Sequence, residues 1–135
     1  KRLEVCKKNL SSKTLIPDDP KINDNSFDVV IDTVGLEITR QNSIKLVKSG
    51  GIIVHIGLTH PSGTFNFRRA TLQEITFVGT YCYTNKDFEN TIKLLSDHTL
   101  GNLEWIEYRE LSKGAEAFKQ IHDGTCAAPK IILIP

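Results

Sequence analysis

Hydrophobic and polar positions change their spacing along the chain in a regular order. Residues 27–35, Phe-Asp-Val-Val-Ile-Asp-Thr-Val-Gly, form a nearly continuous β-branched run, which is typical of a central parallel strand covered on both faces. Apolar positions at helical spacing follow, and we expect that helix to end at Ser49-Gly50, with Gly50 in the left-handed cap conformation. A second buried strand is predicted from Ile52 to Ile56. This strand, helix, strand order favours an α/β fold with a doubly wound parallel sheet.

The same alternation continues to the end of the chain. A turn at 60–63 and a short helix at 70–73 precede a predicted apolar strand from Ile75 to Tyr81. Two amphipathic helices come next, the first capped by Thr84 or Asn85 and followed by Gly101, and the second capped by Ser112 and closed by Gly124. Between them, residues 103–110 predict an exposed strand, and Lys130 to Ile134 predict a last one.

The first 26 residues differ from the rest. Leu3, Cys6 and Leu10 share one face of a predicted helix over residues 1–10, and the polar segment 11–26, with two prolines, is expected to be irregular apart from a short strand at 14–16. The chain contains no methionine and opens as if inside a helix, so we expect it to be a piece of a longer protein.

Composition excludes several classes of function. The 17 Lys and Arg nearly balance 16 Asp and Glu without a basic block, so nucleic acid is not an expected partner. No apolar run reaches the roughly 20 residues that span a bilayer, and no signal peptide is recognisable, so we expect no membrane contact and a cytoplasmic location. Three widely spaced cysteines predict reduced thiols.

Several motifs in order resemble the zinc-type medium-chain alcohol dehydrogenases over essentially the whole chain. They are Asp28-Val29-Val30-Ile31-Asp32-Thr33-Val34-Gly35, Leu46 to Gly51 leading into Val54-His55-Ile56-Gly57, Glu74 to Tyr81, Ala115 to Phe118, and Lys130 to Leu133. The resemblance covers about the last two fifths of such an enzyme. It implies a partial Rossmann-like NAD(P)-binding domain that lacks its first strands (residues 1–100) and a C-terminal tail returning toward the catalytic domain (residues 101–135).

The resemblance also implies which residues form a wall of the cofactor pocket, at the carboxyl ends of the strands. Ile56 and Thr80 would offer carbonyls, and Cys82 an N–H, to the nicotinamide carboxamide. The other implied contacts are Gly57 and Leu58 on the same wall, Thr33, Val34 and Gly35 near the adenosine half, and Lys130 at the pyrophosphate.

The chemistry implied for the parent protein is hydride transfer between an alcohol or carbonyl substrate and NAD or NADP, with zinc held outside this chain. The glycine-rich pyrophosphate turn, the zinc ligands and the residue that separates NAD from NADP belong to the family's upstream part, so we expect no catalytic or metal-ligating residue here and no activity from the chain alone. In the family, the strand corresponding to 75–81 pairs with a second subunit, which implies a homodimer.

Single residues with reactive side chains have simpler explanations. No second Cys or His lies at ligand spacing from Cys82, so we interpret it as a small, partly buried residue. We interpret His55 as a hydrogen-bonded histidine of the core or pocket edge and His60 as a solvated turn residue. Asp28 and Asp32, four apart on a strand, lie about 13 Å from each other, too far to share a proton.

Three alternatives remain at this stage. A zinc-free quinone or enoyl reductase shares this part of the superfamily fold. An S-adenosylmethionine methyltransferase also fits the strand at 27–32 and the segment 46–54, although the tail after Thr80, residues 81–135, is against it. The third is a non-catalytic module that dimerises through its exposed strand edge.

Overall fold

The computed structural model describes residues 2–9, 12–17, 19–101 and 104–135. It divides the chain into two compact units, the first formed by Lys1–Ile16 and Thr84–Pro135 and the second by Pro17–Tyr83. Parallel strands joined by helices form both, which confirms the α/β class. The predicted division into residues 1–100 and 101–135 follows the domains of the similar family and not the compact units of the structure, and it stays a prediction.

The second unit is a three-stranded parallel sheet in the order β1-β2-β3. Its strands are β1 (Phe27–Asp32), β2 (Val47–His55) and β3 (Thr76–Gly79), and its helices are α2 (Glu37–Leu46) and α3 (Phe67–Leu72). The core of this unit centres on Ile44, Val47 and Ile53, against which α3 packs Ala70.

β1 is not the central strand, covered on both faces, that its sequence predicts. It lies at one edge of the described sheet, and Val29 and Ile31, which share one face, are 49% and 59% exposed. α2 and the segment carrying Phe65 and Ala70 pack against the opposite face. The apolar run therefore predicts burial of both faces of β1, whereas only one face is covered by the residues that the structure describes.

The helix after β1 ends earlier than predicted. α2 stops at Leu46 because Val47 adopts an extended conformation and begins β2 opposite Phe27. The register then shifts before Val29 pairs with Ile52. Gly50 has the predicted positive φ, 71°, but at this irregularity inside β2, where its N–H donates to the Gln73 carbonyl (2.8 Å).

The first unit contains α1 (Arg2–Asn9), α4 (Asn85–Ser96), α5 (Gly114–His122) and a two-stranded parallel sheet of β4 (Ile106–Glu110) and β5 (Lys130–Ile134). Thr84 caps α4 as predicted, accepting from the Asp87 N–H. Ser112 is not the cap of α5, because it lies in a 3-10 helix over Leu111–Lys113 that runs directly into α5.

Three smaller predictions fail or fall outside the described residues. The strand expected at 14–16 is absent from this described segment, which has no regular structure. Leu10, predicted on the apolar face of the first helix, and residue 103, the predicted start of an exposed strand, lie outside the described residues. Across the part of the chain that the structure describes, every helix falls short of the length and apolar content needed to cross a bilayer.

Candidate functional site

The strand ends of the second unit form its most organised polar region. Because the three strands are parallel and in register, Asp32 lies opposite His55, and His55 lies opposite Gly79. The segments that leave these ends are residues 33–35, 56–58 and 80–82. We call the strand ends and these segments the carboxyl edge. Open parallel sheets bind their ligands at this edge.

The Asp32 carboxylate organises the first segment. Its side chain is almost completely buried, and its Oδ1 accepts the N–H groups of Val34 (3.0 Å) and Gly35 (2.9 Å), while Oδ2 accepts the Thr39 hydroxyl (2.9 Å). Burial disfavours the charged form, but the Gly35 and Val34 N–H groups and the Thr39 hydroxyl outweigh it and hold the pKa of Asp32 below its ordinary value. The carboxylate is therefore ionised at neutral pH.

The main chain of the same residue fixes the second segment. The Asp32 carbonyl accepts the N–H groups of Ile56 (2.9 Å) and Gly57 (3.0 Å). The two segments touch through their glycines, since a Cβ on Gly35 would lie 2.1 Å from the Gly57 carbonyl oxygen, and one on Gly57 would lie 2.1 Å from the Val34 carbonyl carbon. The space beside Gly35 is thus filled by the neighbouring backbone, and any larger residue would separate the segments.

His55 lies beside this carboxylate. Its Nδ1 is 3.2 Å from Asp32 Oδ2, and its ring packs against Phe77 with centroids 5.7 Å apart. Nδ1 is buried and, among the described residues, has no partner with hydrogen-bond geometry, so the two groups are close without being aligned. The location of His55 at a pocket edge stays a prediction, and the predicted hydrogen bond is not found at Nδ1 among the described residues.

Side chains of α2 fasten the loop that follows the second segment. Arg40 donates to the carbonyls of Gly35 (2.9 Å), His60 (3.3 Å) and Ser62. Glu37 accepts the Thr64 hydroxyl and N–H, at 2.5 and 3.1 Å, and these two bonds hold the pKa of Glu37 below its usual value. An open groove of about 410 Å³, lined by Leu36, Glu37, Ile38, Gln41 and His60, runs beside these contacts.

The residues predicted to touch a cofactor divide into two groups. Eight of them lie at the carboxyl edge: Thr33, Val34, Gly35, Ile56, Gly57, Leu58, Thr80 and Cys82. The ninth, Lys130, begins β5 in the other unit, and its contact with a phosphate stays a prediction. The structure therefore brings together the nicotinamide and adenosine parts of the predicted wall.

The groups predicted to bind the carboxamide are available. Within the described residues, the carbonyls of Ile56 and Thr80 and the N–H of Cys82 have no hydrogen-bond partner, although the Ile56 and Thr80 N–H groups are bonded to Asp32 and His55. Cys82 itself is exposed rather than partly buried as predicted, because it follows β3 in an open loop. Two acceptors and one donor are thus left unpaired next to backbone N–H groups that are bonded.

Sequence reasoning missed the supports of this edge. The only prediction for the Asp32 side chain is that it lies too far from Asp28 to share a proton. Asp28 is exposed and accepts a hydrogen bond from Lys48 (2.9 Å). The signal was an Asp at a strand end followed by Thr-Val-Gly, a turn that an Asp side chain stabilises by accepting nearby N–H groups. Among the described residues, no group of three or more His, Cys, Asp or Glu could hold a metal ion.

Comparisons with known proteins identify the family to which the chain belongs. Residues 7–97 match the family model described as zinc-binding dehydrogenase. D-xylulose reductase of Saccharomyces cerevisiae is 31% identical over 100 residues, 73% of this chain and 28% of the relative. Acryloyl-coenzyme A reductase of Metallosphaera sedula is 32% identical over 100 residues, 71% of this chain and 30% of the relative. The chain thus spans less than a third of these relatives.

One solved structure gives the same fold. Acetophenone reductase from Geotrichum candidum, solved in complex with NAD, superposes with a TM-score of 0.71 at 24% identity, covering 90% of this chain and 34% of that one. This supports the predicted Rossmann-like arrangement over most of the chain. The match to a dehydrogenase family leaves the methyltransferase alternative without support.

Proposed function

The chain belongs to the zinc-binding dehydrogenase family, and on that premise we propose that it forms part of an NAD(P)-dependent oxidoreductase that interconverts an alcohol or polyol with its carbonyl compound. The observation that carries the proposal is the carboxyl edge, where the unpaired carbonyls of Ile56 and Thr80 and the unpaired N–H of Cys82 complement the two N–H donors and the oxygen acceptor of a nicotinamide carboxamide. The relative named D-xylulose reductase supports a polyol substrate class.

In this proposal the bound cofactor supplies the hydride chemistry, and the residues of this chain orient it. The carbonyls of Ile56 and Thr80 accept the two amide protons of the carboxamide, and the Cys82 N–H donates to its oxygen. Three bonds to one planar group fix which face of the ring is presented to the substrate. Val34 and Leu58, both exposed, provide apolar surface beside the fixed backbone. Zinc in the parent protein is part of the proposal, with its ligands outside this chain.

A substitution of Cys82 tests the proposal, because the bond comes from its backbone. Cys82→Pro removes the N–H, whereas Cys82→Ala keeps it and serves as the matched control. We expect Cys82→Pro to weaken NADH or NADPH binding by about threefold to tenfold, the effect of one hydrogen bond, with little change in Cys82→Ala. Titration of the full chain, followed by cofactor fluorescence, measures this.

A ligand without the nicotinamide ring gives the second control. ADP-ribose lacks the carboxamide, so its affinity should be the same for Cys82→Pro and the unmodified chain. Equal losses for NADH and ADP-ribose would mean that proline disturbs the edge as a whole. Failure of the unmodified chain to bind either dinucleotide would contradict a cofactor site on this chain.

The acryloyl-coenzyme A reductase relative favours one second candidate, an enoyl reductase of the same superfamily. Both candidates use the same cofactor wall and differ in the substrate. Activity of the parent protein with a polyol and NAD(P), compared with reduction of an acyl-coenzyme A enoyl group by NAD(P)H, separates them.

A homodimer through the strand at 75–81 is also part of the proposal. β3 is an edge strand of the described sheet, and all four of its residues are exposed. An uncovered edge of this kind can pair with a second strand. Light scattering of the purified chain should give twice the monomer mass, and a monomer at all concentrations would exclude the dimer.

A further inference from the structure

We infer that Asp32 is a positioning residue, whose buried carboxylate and carbonyl together fix segments 33–35 and 56–58 of the carboxyl edge before any cofactor binds. The benefit of this positioning for cofactor binding rests on the function proposed above. The fixed geometry itself is independent of that role, because every contact that carries it lies within the chain.

Asp32 holds the two segments with different atoms. Its carboxylate accepts the N–H groups of Val34 and Gly35, and its carbonyl accepts those of Ile56 and Gly57. Four backbone donors of the proposed wall, two from each segment, therefore bond to one residue. The carbonyls of Val34 and Gly35 are bonded within the chain as well, to Thr59 and to His60 and Arg40, which holds the first segment further. In the second segment, the Ile56 carbonyl has no partner among the described residues and is left for a ligand.

The ionised form suits this role better than an amide would. A carboxylate only accepts hydrogen bonds, and here it receives three, from the Val34 and Gly35 N–H groups and the Thr39 hydroxyl. Bonds to a charged acceptor are roughly twice as strong as neutral ones. Asn at this position keeps one oxygen for the two N–H groups but loses the acceptor for Thr39.

Asp28 provides a matched control on the same strand. It is also a carboxylate, hydrogen-bonded to Lys48, but it is exposed and its side chain makes no hydrogen bond to the carboxyl edge among the described residues. Replacing Asp28 removes the same charge from the same strand. It should not release the N–H groups of segments 33–35 and 56–58.

The test is amide hydrogen exchange on the full chain without cofactor, comparing Asp32→Asn, Asp32→Ala and Asp28→Asn. The exchange rate of the Val34 and Gly35 N–H groups is divided by that of Ile53, a core residue of β2, so that general loss of stability cancels. We expect this ratio to rise by about threefold to tenfold in Asp32→Asn and by about 10- to 100-fold in Asp32→Ala. Asp28→Asn should leave it unchanged.

An unchanged ratio in Asp32→Asn, or an equal rise in Asp28→Asn, would overturn the inference, and the Asn variant decides the matter even if Asp32→Ala does not fold. NADH titration of the same variants then measures the consequence, with affinity expected to fall in Asp32→Asn but not in Asp28→Asn. If the unmodified chain binds neither NADH nor NADPH, the proposed function fails, while the exchange ratio still decides whether Asp32 positions the edge.

Discussion

The two parallel sheets use one polar residue each in different ways. In the three-stranded sheet, Asp32 stands at the end of β1 and bonds the segments that leave the strands. In the two-stranded sheet, Arg109 stands within β4 and donates to Glu107 (2.6 Å) and to Gln120 of α5 (2.9 Å). A polar group at a strand end therefore orders loops, whereas one within a strand attaches a helix to the sheet.

The apolar packing also differs between the two units. Val47 and Ile53 are completely buried in the three-stranded unit. In the two-stranded unit, the buried apolar residues among those described are the small Ala117 and Cys126, and Ile132 and Ile134 of β5 remain exposed. The unit with the hydrogen-bonded strand ends thus also has the more completely packed core.

Truncating an isoleucine in each sheet tests this difference and has the largest expected effect. Ile53→Ala leaves a cavity in a closed core, so the free energy of unfolding should fall by about 2–5 kcal/mol. Ile132→Ala removes a side chain that is 38% exposed, and the loss should be well under half of that. Urea denaturation measures both, and equal losses would show that the two cores are equally closed.

Alanine at one glycine in each unit gives the next largest effect. Gly35 and Gly124 both have positive φ, 76° and 65°, so alanine strains either by about 1 kcal/mol. At Gly35 the new Cβ also meets the Gly57 backbone, whereas at Gly124 it has no neighbour within 4 Å. We expect Gly35→Ala to lower the free energy of unfolding by about 2–4 kcal/mol. An equal loss in Gly35→Ala and Gly124→Ala would contradict the close contact between Gly35 and Gly57.

Lowering the pH should have a smaller effect on stability, and it separates the contribution of Asp32 from that of Arg109. The lowered pKa of Asp32 means that its contribution to stability is present above about pH 4, the ordinary range for Asp, and is lost as pH falls through the folded pKa. The Glu107 bond raises the pKa of Arg109, which stays charged throughout this range. Denaturation midpoints measured from pH 5 to pH 2 should fall less steeply for Asp32→Asn than for the unmodified chain. Parallel curves for the two proteins would rule out this contribution of Asp32.

The order of the elements could be predicted from the sequence because each one has its own local pattern. The β-branched run over 27–32 and the segment 130–134 both predict strands, and the structure has strands at Phe27–Asp32 and Lys130–Ile134. The end of α2 could not be predicted in this way. Pairing of Val47 with Phe27 decides it, and that contact joins residues 20 positions apart.

The carboxyl edge could be predicted in part for the same reason. Family resemblance located its segments, but the contact between Gly35 and Gly57 depends on how two strand ends are aligned. Asp32 looks like an ordinary strand residue until the turn after it is seen to direct two N–H groups to its carboxylate. Local spacing carries no information on such contacts.

The close contact of Gly35 and Gly57 also has a consequence for protein engineering. A binding wall made of main-chain atoms can keep its shape while most of its side chains are exchanged, so libraries aimed at new cofactors or substrates can vary Val34 and Leu58 freely. The two glycines are different, because neither can be enlarged while the other backbone stays in place. They constitute a single design unit and should be held constant together.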